Sequence, residues 1–257
     1  NFVKWYLHDE FTATNLTFDI GGTCKRAIES YLTGGHPVKC GLKHHANNGN
    51  GSLMRILPVA FVCYNNQITG EKRYELVKNI SSLTHAHPIS VLGCLIYTNF
   101  VCHLLGGDNP KEAYRKTQLD DYSMFEKEEI TLYSRILKNQ IYRYPKGFIS
   151  SRAYVVDTLE AALWSFLTTD NFQDAVLTAV NLGDDTDTVG ALTGSLAGIQ
   201  YGLKSIPEKW ATTLKRGRYL IKLCDQFTET EIDTTDISPE STSIPHVETT
   251  NLNRLGA

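Results

Sequence analysis

Between Val189 and Leu203 small residues recur at Gly190, Gly194, Gly198 and Gly202, a spacing of four that puts them on one face of a helix. Four glycines cost a helix about 3–4 kcal/mol relative to alanine. The helix must therefore be held by packing, and the bare face predicts a neighbouring backbone at close range. Immediately upstream, residues 181–190 read Asn-Leu-Gly-Asp-Asp-Thr-Asp-Thr-Val-Gly, with three carboxylates and two hydroxyls in five consecutive positions. Such a group repels itself when ionised unless water screens it or a cation neutralises it. It lies at the predicted N-terminus of a buried helix, where carboxylates are favoured and backbone amides point outward. Two uses fit: an Asp/Thr-rich N-cap, or a seat for Mg²⁺ or Mn²⁺ rather than zinc, because every donor is a hard oxygen.

The other periodic segments are helical as well. Helices are predicted over Thr23–Leu32, stopped by Gly34-Gly35, over Glu71–Leu83, and from Pro88 through Leu105. Lys127–Lys138, Val155–Thr168, Asp174–Asn181, Val189–Leu203 and Pro207–Phe227 continue the series, and Asp170 to Gln173 has the spacing of a capping box with Asp170 at the N-cap. Alternating strand patterns are nearly absent, so the fold class is all-α, with one domain over residues 1–227. The longest apolar run, Ile89–Leu105, is broken by Thr98, Asn99 and His103 and reads as a core helix rather than a membrane span.

From Thr228 onward Thr, Ser, Glu, Asp and Pro replace the apolar residues, which predicts a disordered tail over 228–257. Truncation after Phe227 should leave the melting temperature nearly unchanged, because such a segment cannot offset its own ordering entropy. Paired melting curves check this, and a drop of many degrees would show that the tail docks. A net charge of −3 offers no basic stripe for nucleic acid. Six cysteines without a CxxC pair fit reduced thiols and a cytoplasmic location better than a disulfide scaffold. The chain opens at Asn1 in Phe2-Val3-Lys4-Trp5-Tyr6-Leu7, which reads like the middle of a helix, so a preceding N-terminal portion is expected.

Three further segments can carry chemistry. The polar loop His44-His45-Ala46-Asn47-Asn48-Gly49-Asn50-Gly51-Ser52 runs into Leu53-Met54-Arg55; its Asn-Gly pairs make it either an ordinary turn or a cradle of free backbone N–H groups for phosphate. Arg55 could bond an anion or tie two helices together. His85 and His87 sit at i and i+2, a poor spacing for metal ligation by the pair alone, so a ring nitrogen bonded to substrate or to nearby backbone is the better expectation. Asp19, between Phe18 and Ile20, is either a cap for the helix after Gly22 or a buried carboxylate with a raised pKa, usable as a base. Tyr154, at the mouth of the helix Val155–Trp164, could stack on a base or ribose.

In this order, Phe18-Asp19-Ile20-Gly21, Asn50-Gly51-Ser52-Leu53-Met54-Arg55-Ile56-Leu57-Pro58, Thr84-His85, Tyr154 to Trp164, and Asn181 to Thr188 resemble the ADP-ribosylglycohydrolase family, most closely its dinitrogenase reductase-activating branch. The resemblance covers residues 1 to about 225. It implies an orthogonal all-α bundle with two Mg²⁺ or Mn²⁺ ions at the base of an ADP-ribose cleft. It also implies Asp185, Asp187 and Thr188 as metal ligands, Asp19 as general base, and Asn50, Gly51, Ser52, Met54, His85 and Tyr154 as substrate-binding positions. The implied reaction is hydrolysis of an ADP-ribosyl bond on a modified protein side chain, with ADP-ribosyl-arginine the linkage of that branch. No nucleic acid or membrane partner is implied, and the complete protein is expected to be a monomer.

Members normally open with a Gly-Asp-Ala-Leu-Gly-like helix and a Thr/Ser-Asp-Asp triad that supplies other metal ligands, and this chain contains neither. The expectation is therefore either a fragment of an active enzyme or a degenerate member, in which case an ADP-ribose-binding or protein-interaction module is the rival. Hydrolysis of a small ADP-ribose derivative is a third reading. Asp184 stands where many members carry Gly, and Gly22 where the branch often carries Asn.

Overall fold

The apolar run after Pro88 forms the helix at the centre of the core: in the computed structural model 83% of Pro88–Leu105 is buried inside the protein. It is the one helix among the described residues long and apolar enough to cross a membrane, and the rest of the fold covers it instead. Residues 1–230 are described, and most of the predicted tail lies outside them.

Among the described residues thirteen α-helices follow one another: α1 (Phe2–His8), α2 (Gly22–Leu32), α3 (Leu57–Asn65), α4 (Gly70–Ser82), α5 (Pro88–Leu105), α6 (Pro110–Leu119), α7 (Lys127–Leu132), α8 (Ser134–Leu137), α9 (Val155–Leu167), α10 (Phe172–Val180), α11 (Thr186–Tyr201), α12 (Glu208–Thr213) and α13 (Gly217–Glu229). No strand occurs among the described residues, only the isolated bridges Leu42 to His85 and Gly49 to Tyr154. Helices α3, α4, α6 and α9 pack around α5, and α11 packs on α9 and α10. Two of the three polar interruptions of α5 are paired: Arg73 on α4 donates to Asn99 Oδ1 at 2.9 Å and to the Ile68 carbonyl at 3.0 Å, and His103 Nε2 lies 3.1 Å from Asp120 Oδ2, whereas the buried Thr98 hydroxyl has no partner among the described residues. Gly93 leaves room for the Tyr133 hydroxyl, which would lie 2.5 Å from a Cβ there and which donates to the Ile89 carbonyl at 2.7 Å.

Several predicted boundaries move, each for a local reason. The helix expected over Lys127–Lys138 breaks at buried Tyr133, where the side chain turns inward to reach α5. Pro207–Phe227 divides at Arg216, whose backbone is left-handed at φ 58° and whose guanidinium donates to the Thr12 carbonyl. The capping residue before α10 is Asn171, accepting from Asp174 N at 2.8 Å, rather than Asp170. Helix α11 starts at Thr186, three residues early, and absorbs Asp187 and Thr188 into its first turn. Its glycine face does not meet a backbone: Gly190 and Gly194 take the Val180 and Val176 side chains of α10, and a Cβ at Gly198 would meet nothing within 4 Å. The six cysteines are free, as expected.

One core ion pair carries a pH dependence. Glu160 on α9 is buried and pairs with Arg135 Nη1 at 3.1 Å. Burial raises its pKa from an ordinary 4.5 to about 7, against the pull of Arg135. The folded state holds the proton more tightly than the unfolded chain, so this contribution to stability is full below about pH 4.5 and is lost as the pH rises through about 7. Glu160→Gln, which keeps the shape without the ionisation, should flatten that part of the melting temperature against pH. Superimposable wild-type and mutant profiles would contradict it.

Candidate active site

The loop that ends at Ser52 is fastened to the start of α9. Val155 N donates to the Asn48 carbonyl at 3.0 Å and Asn50 N to the Ala153 carbonyl at 3.0 Å, pairing Gly49 with Tyr154. Asn48 is anchored by Ser90 Oγ, which donates to its Oδ1 at 2.8 Å. These bonds bury Asn50 and leave its amide pointing across the site. Asn50 Nδ2 donates to Thr158 Oγ1 at 2.9 Å and to Asp185 Oδ2 at 2.6 Å, and Thr158 in turn donates to the Arg152 carbonyl at 3.0 Å. One amide therefore joins the loop, α9 and the acidic turn.

The acidic turn is held from the other side by residues 146–151. Ser151 Oγ donates to the Gly183 carbonyl at 3.1 Å, its own carbonyl accepts from Asp185 N at 3.1 Å, and Lys146 Nζ donates to the Asn181 carbonyl at 3.0 Å. The chain turns sharply here, with Gly183 at φ 89° and Asp184 at φ 49°. Asp tolerates the left-handed region better than most residues. Asp185 is the N-cap of α11, Asp187 lies in its first turn and Thr188 is buried beneath them.

The two carboxyls behave as a hydrogen-bonded pair. Burial pushes Asp185 up, and hydrogen bonds from Asn50, Asp187 and Thr188 outweigh it, holding the carboxyl below the usual range. Asp187 moves the other way, raised first by its hydrogen bond to Asp185 and then by burial. Two carboxylates and a hydroxyl converge, and all are hard oxygen donors suited to Mg²⁺ or Mn²⁺. They are fewer than the ligands two such ions take. Among the described residues no group of three His, Cys, Asp or Glu side chains could hold a metal.

The remaining predicted residues divide. His85 is buried and fixed: its N–H donates to the Ser81 carbonyl at 2.8 Å and its carbonyl accepts from Ser81 Oγ at 2.7 Å. Burial, reinforced by Arg55, lowers its pKa to about 4, so the ring is neutral at pH 7. Gly51 lies against it, since a Cβ there would approach His85 Cε1 to 2.8 Å and Cys24 Sγ to 3.1 Å. Ser52 is turned into the core, where Cys94 Sγ donates to it at 3.4 Å. Met54 is 46% exposed, and Tyr154 is half-buried at the head of α9. Asp19 differs from expectation: it is exposed rather than buried, it sits at φ 51°, and the N-cap of α2 is Gly21. No contact joins Asp19 to the Asn50 and Asp185 cluster among the described residues.

His87 caps α5, accepting from Ile89 N at 3.2 Å, which is the backbone bond expected of one of the two imidazoles. Arg55 ties the loop to the end of α4, reaching the Gly51 and Ile80 carbonyls and Thr84 Oγ1. Thr158 and Ser151 were not singled out in the sequence. Thr158 lies four residues after Tyr154 with its hydroxyl fully buried, and with Asp157, Glu160 and Ser165 on the same helix no local pattern sets it apart.

The profile of one class of enzyme, the ADP-ribosylglycohydrolases, matches residues 1–236. The chain belongs to the ADP-ribosylglycohydrolase family. It is 32% identical over 228 residues to the ADP-ribosylarginine hydrolase Tri1 of Serratia proteamaculans, covering 88% of this chain and 58% of that protein. It is 33% identical over 196 residues to the ADP-ribosyl-[dinitrogen reductase] glycohydrolase of Rhodospirillum rubrum, covering 76% of this chain and 60% of that protein. A solved ADP-ribosylglycohydrolase-related protein complex superposes with a TM-score of 0.70 at 26% identity, covering 89% of this chain and 71% of that one. The chain thus spans about three fifths of the length of these two curated relatives.

Proposed function

We propose that this chain carries the ADP-ribose site of a metal-dependent hydrolase that removes ADP-ribose from a modified protein side chain, with ADP-ribosyl-arginine as the linkage. The observation that carries the reading is the Asn50 amide, which donates at once to Asp185 and Thr158 and so joins three distant segments at one point. The linkage follows the two relatives, named as acting on ADP-ribosylarginine and on ADP-ribosyl dinitrogen reductase. Asp185, Asp187 and the Thr188 hydroxyl would hold Mg²⁺ or Mn²⁺, which would supply charge neutralisation and an acidified water.

The chain's own residues do the rest. Asn50 orients Asp185 by holding its Oδ2, and the Ser151 carbonyl fixes the Asp185 backbone, so the carboxylate is positioned before substrate arrives. The loop around Gly49 and Gly51 brings backbone within reach of a ligand, and Tyr154 offers a ring at its edge. Loss of the leaving group gives the ribose C1″ oxocarbenium character. Asp19, solvent-exposed, is the carboxylate assigned to orient the attacking water.

The test is to incubate the protein with an ADP-ribosyl-arginine protein in Mg²⁺, in Mn²⁺ and in chelator. Metal-dependent release of ADP-ribose is the expected result. Saturable ADP-ribose binding with no release in any buffer would move the assignment to a binding module.

A further inference from the structure

Beside the acidic turn, a second set of bonds decides what His85 can do. Arg55 Nη2 donates to Thr84 Oγ1 at 2.8 Å, and the same hydroxyl lies 2.7 Å from His85 Nδ1. Guanidinium can only donate, so it occupies a lone pair of the Thr84 oxygen and leaves the hydroxyl hydrogen to find an acceptor. Thr84 is buried, and among the described residues its hydroxyl meets no acceptor other than His85 Nδ1. The proton of a neutral imidazole must then reside on the far nitrogen, Nε2. That nitrogen makes no hydrogen bond among the described residues, and it faces the loop where side chains are missing: a Cβ at Gly49 would lie 3.7 Å from it and one at Gly51 3.3 Å.

We infer that Arg55 and Thr84 are positioning residues that lock His85 as the Nε2–H tautomer, presenting a fixed, uncharged donor through the gap left by Gly49 and Gly51 to an acceptor oxygen of the ADP-ribosyl group. This rests on the proposed function for the identity of the ligand, though the tautomer follows from the bonds alone. The ring is then no proton carrier: Nδ1 is committed to Thr84, and Nε2 gives a hydrogen bond without giving up its proton. The surroundings hold it in that register. Leu42 N donates to the Thr84 carbonyl and Ala86 N to the Leu42 carbonyl, each at 3.0 Å, so His85 is clamped from both neighbours in sequence. The site thus has two donors of different origin, the Asn50 amide of the loop committed to Asp185 and the His85 ring facing that loop left open for ligand.

Nitrogen-15 NMR of the imidazole rings in the intact 257-residue chain tests this, with His85→Gln identifying the His85 signals. The expected spectrum near pH 7 has a pyrrole-type shift at Nε2 and a pyridine-type shift at Nδ1. Thr84→Val should lose this fixed tautomer and Thr84→Ser should restore it. Calorimetric titration with ADP-ribose should show affinity down about tenfold in Thr84→Val and near wild type in Thr84→Ser, the loss of one aligned hydrogen bond. A wild-type ring protonated at Nδ1, or a Thr84→Val ring with an unchanged tautomer, overturns the lock. Unchanged ADP-ribose affinity in Thr84→Val overturns the donor role. Failure of the wild type to bind ADP-ribose at all would count against the proposed ligand, while the spectra still decide the tautomer.

Discussion

Asp185→Asn and Asp187→Asn, made singly, should each lower turnover of an ADP-ribosyl-arginine protein by about a hundredfold or more while leaving the fold intact. Changes to groups that merely support metal ligands cost about ten- to a hundredfold, and under the proposed function these two side chains supply the anionic oxygens themselves. Asp187→Asn should not lower stability, because its hydrogen bond to Asp185 and burial both disfavour its charge, whereas Asp185→Asn gives up a carboxylate that the fold favours and should cost a little. Asp187 is exposed and Asp185 half-buried, so neither change opens a cavity. A melting temperature equal to or slightly above wild type for Asp187→Asn and slightly below it for Asp185→Asn, with turnover lost in both, is the expected set of readings. Turnover retained by both mutants would remove these residues from the site.

The largest effect on stability is expected far from the carboxylates, at Gly41. A Cβ there would run into the carbonyl of Ser82, and that obstacle is backbone, which cannot rotate aside. Gly41→Ala should therefore cost about 3 kcal/mol, at the upper end of what overpacking exacts. For a protein of this size that is roughly 6–12 °C in melting temperature. The damage should also spread to function, because Leu42, next in sequence, holds the backbone on both sides of His85. Thermal melts measure the first effect and ADP-ribose titration the second. A melting temperature within a degree or two of wild type would show that residues 40–42 can move away from α4 at little cost.

How much of this was legible in the sequence depends on what kind of signal each element left. Helix α5 was bounded correctly because Pro88 starts it and Gly106 follows its last residue. Helix α6 was passed over even though Asn109-Pro110 is a cap followed by proline at the first helical position. Its residues are mostly polar, and apolar periodicity, the stronger cue, was missing. The breaks at Tyr133 and Arg216 depend on contacts with α5 and with Thr12, which no local pattern encodes.

At the site, the acidic turn and the Asn50 loop were visible as unusual compositions. Their mutual contact was not, because the two are 135 positions apart and the link is a single side-chain amide. Asp19 shows the opposite failure. Apolar neighbours at Phe18 and Ile20 suggested burial, yet Phe18 is itself 73% exposed, so the pattern around Asp19 reported no core. The glycine stripe of α11 was real, but its partner is a pair of valine side chains on α10 rather than a backbone. Spacing alone does not tell these apart.

Whether the Asn50 loop and the Asp185 turn form one ADP-ribose site is decided by calorimetric titration of ADP-ribose in Mg²⁺ into the wild type, Asn50→Ala and Asp185→Asn. A single saturable site is expected in the wild type, weakened about tenfold or more in both variants, since each loses an aligned polar contact at the point where the two segments meet. No saturable binding by the wild type, or one affinity shared by all three proteins, would contradict it.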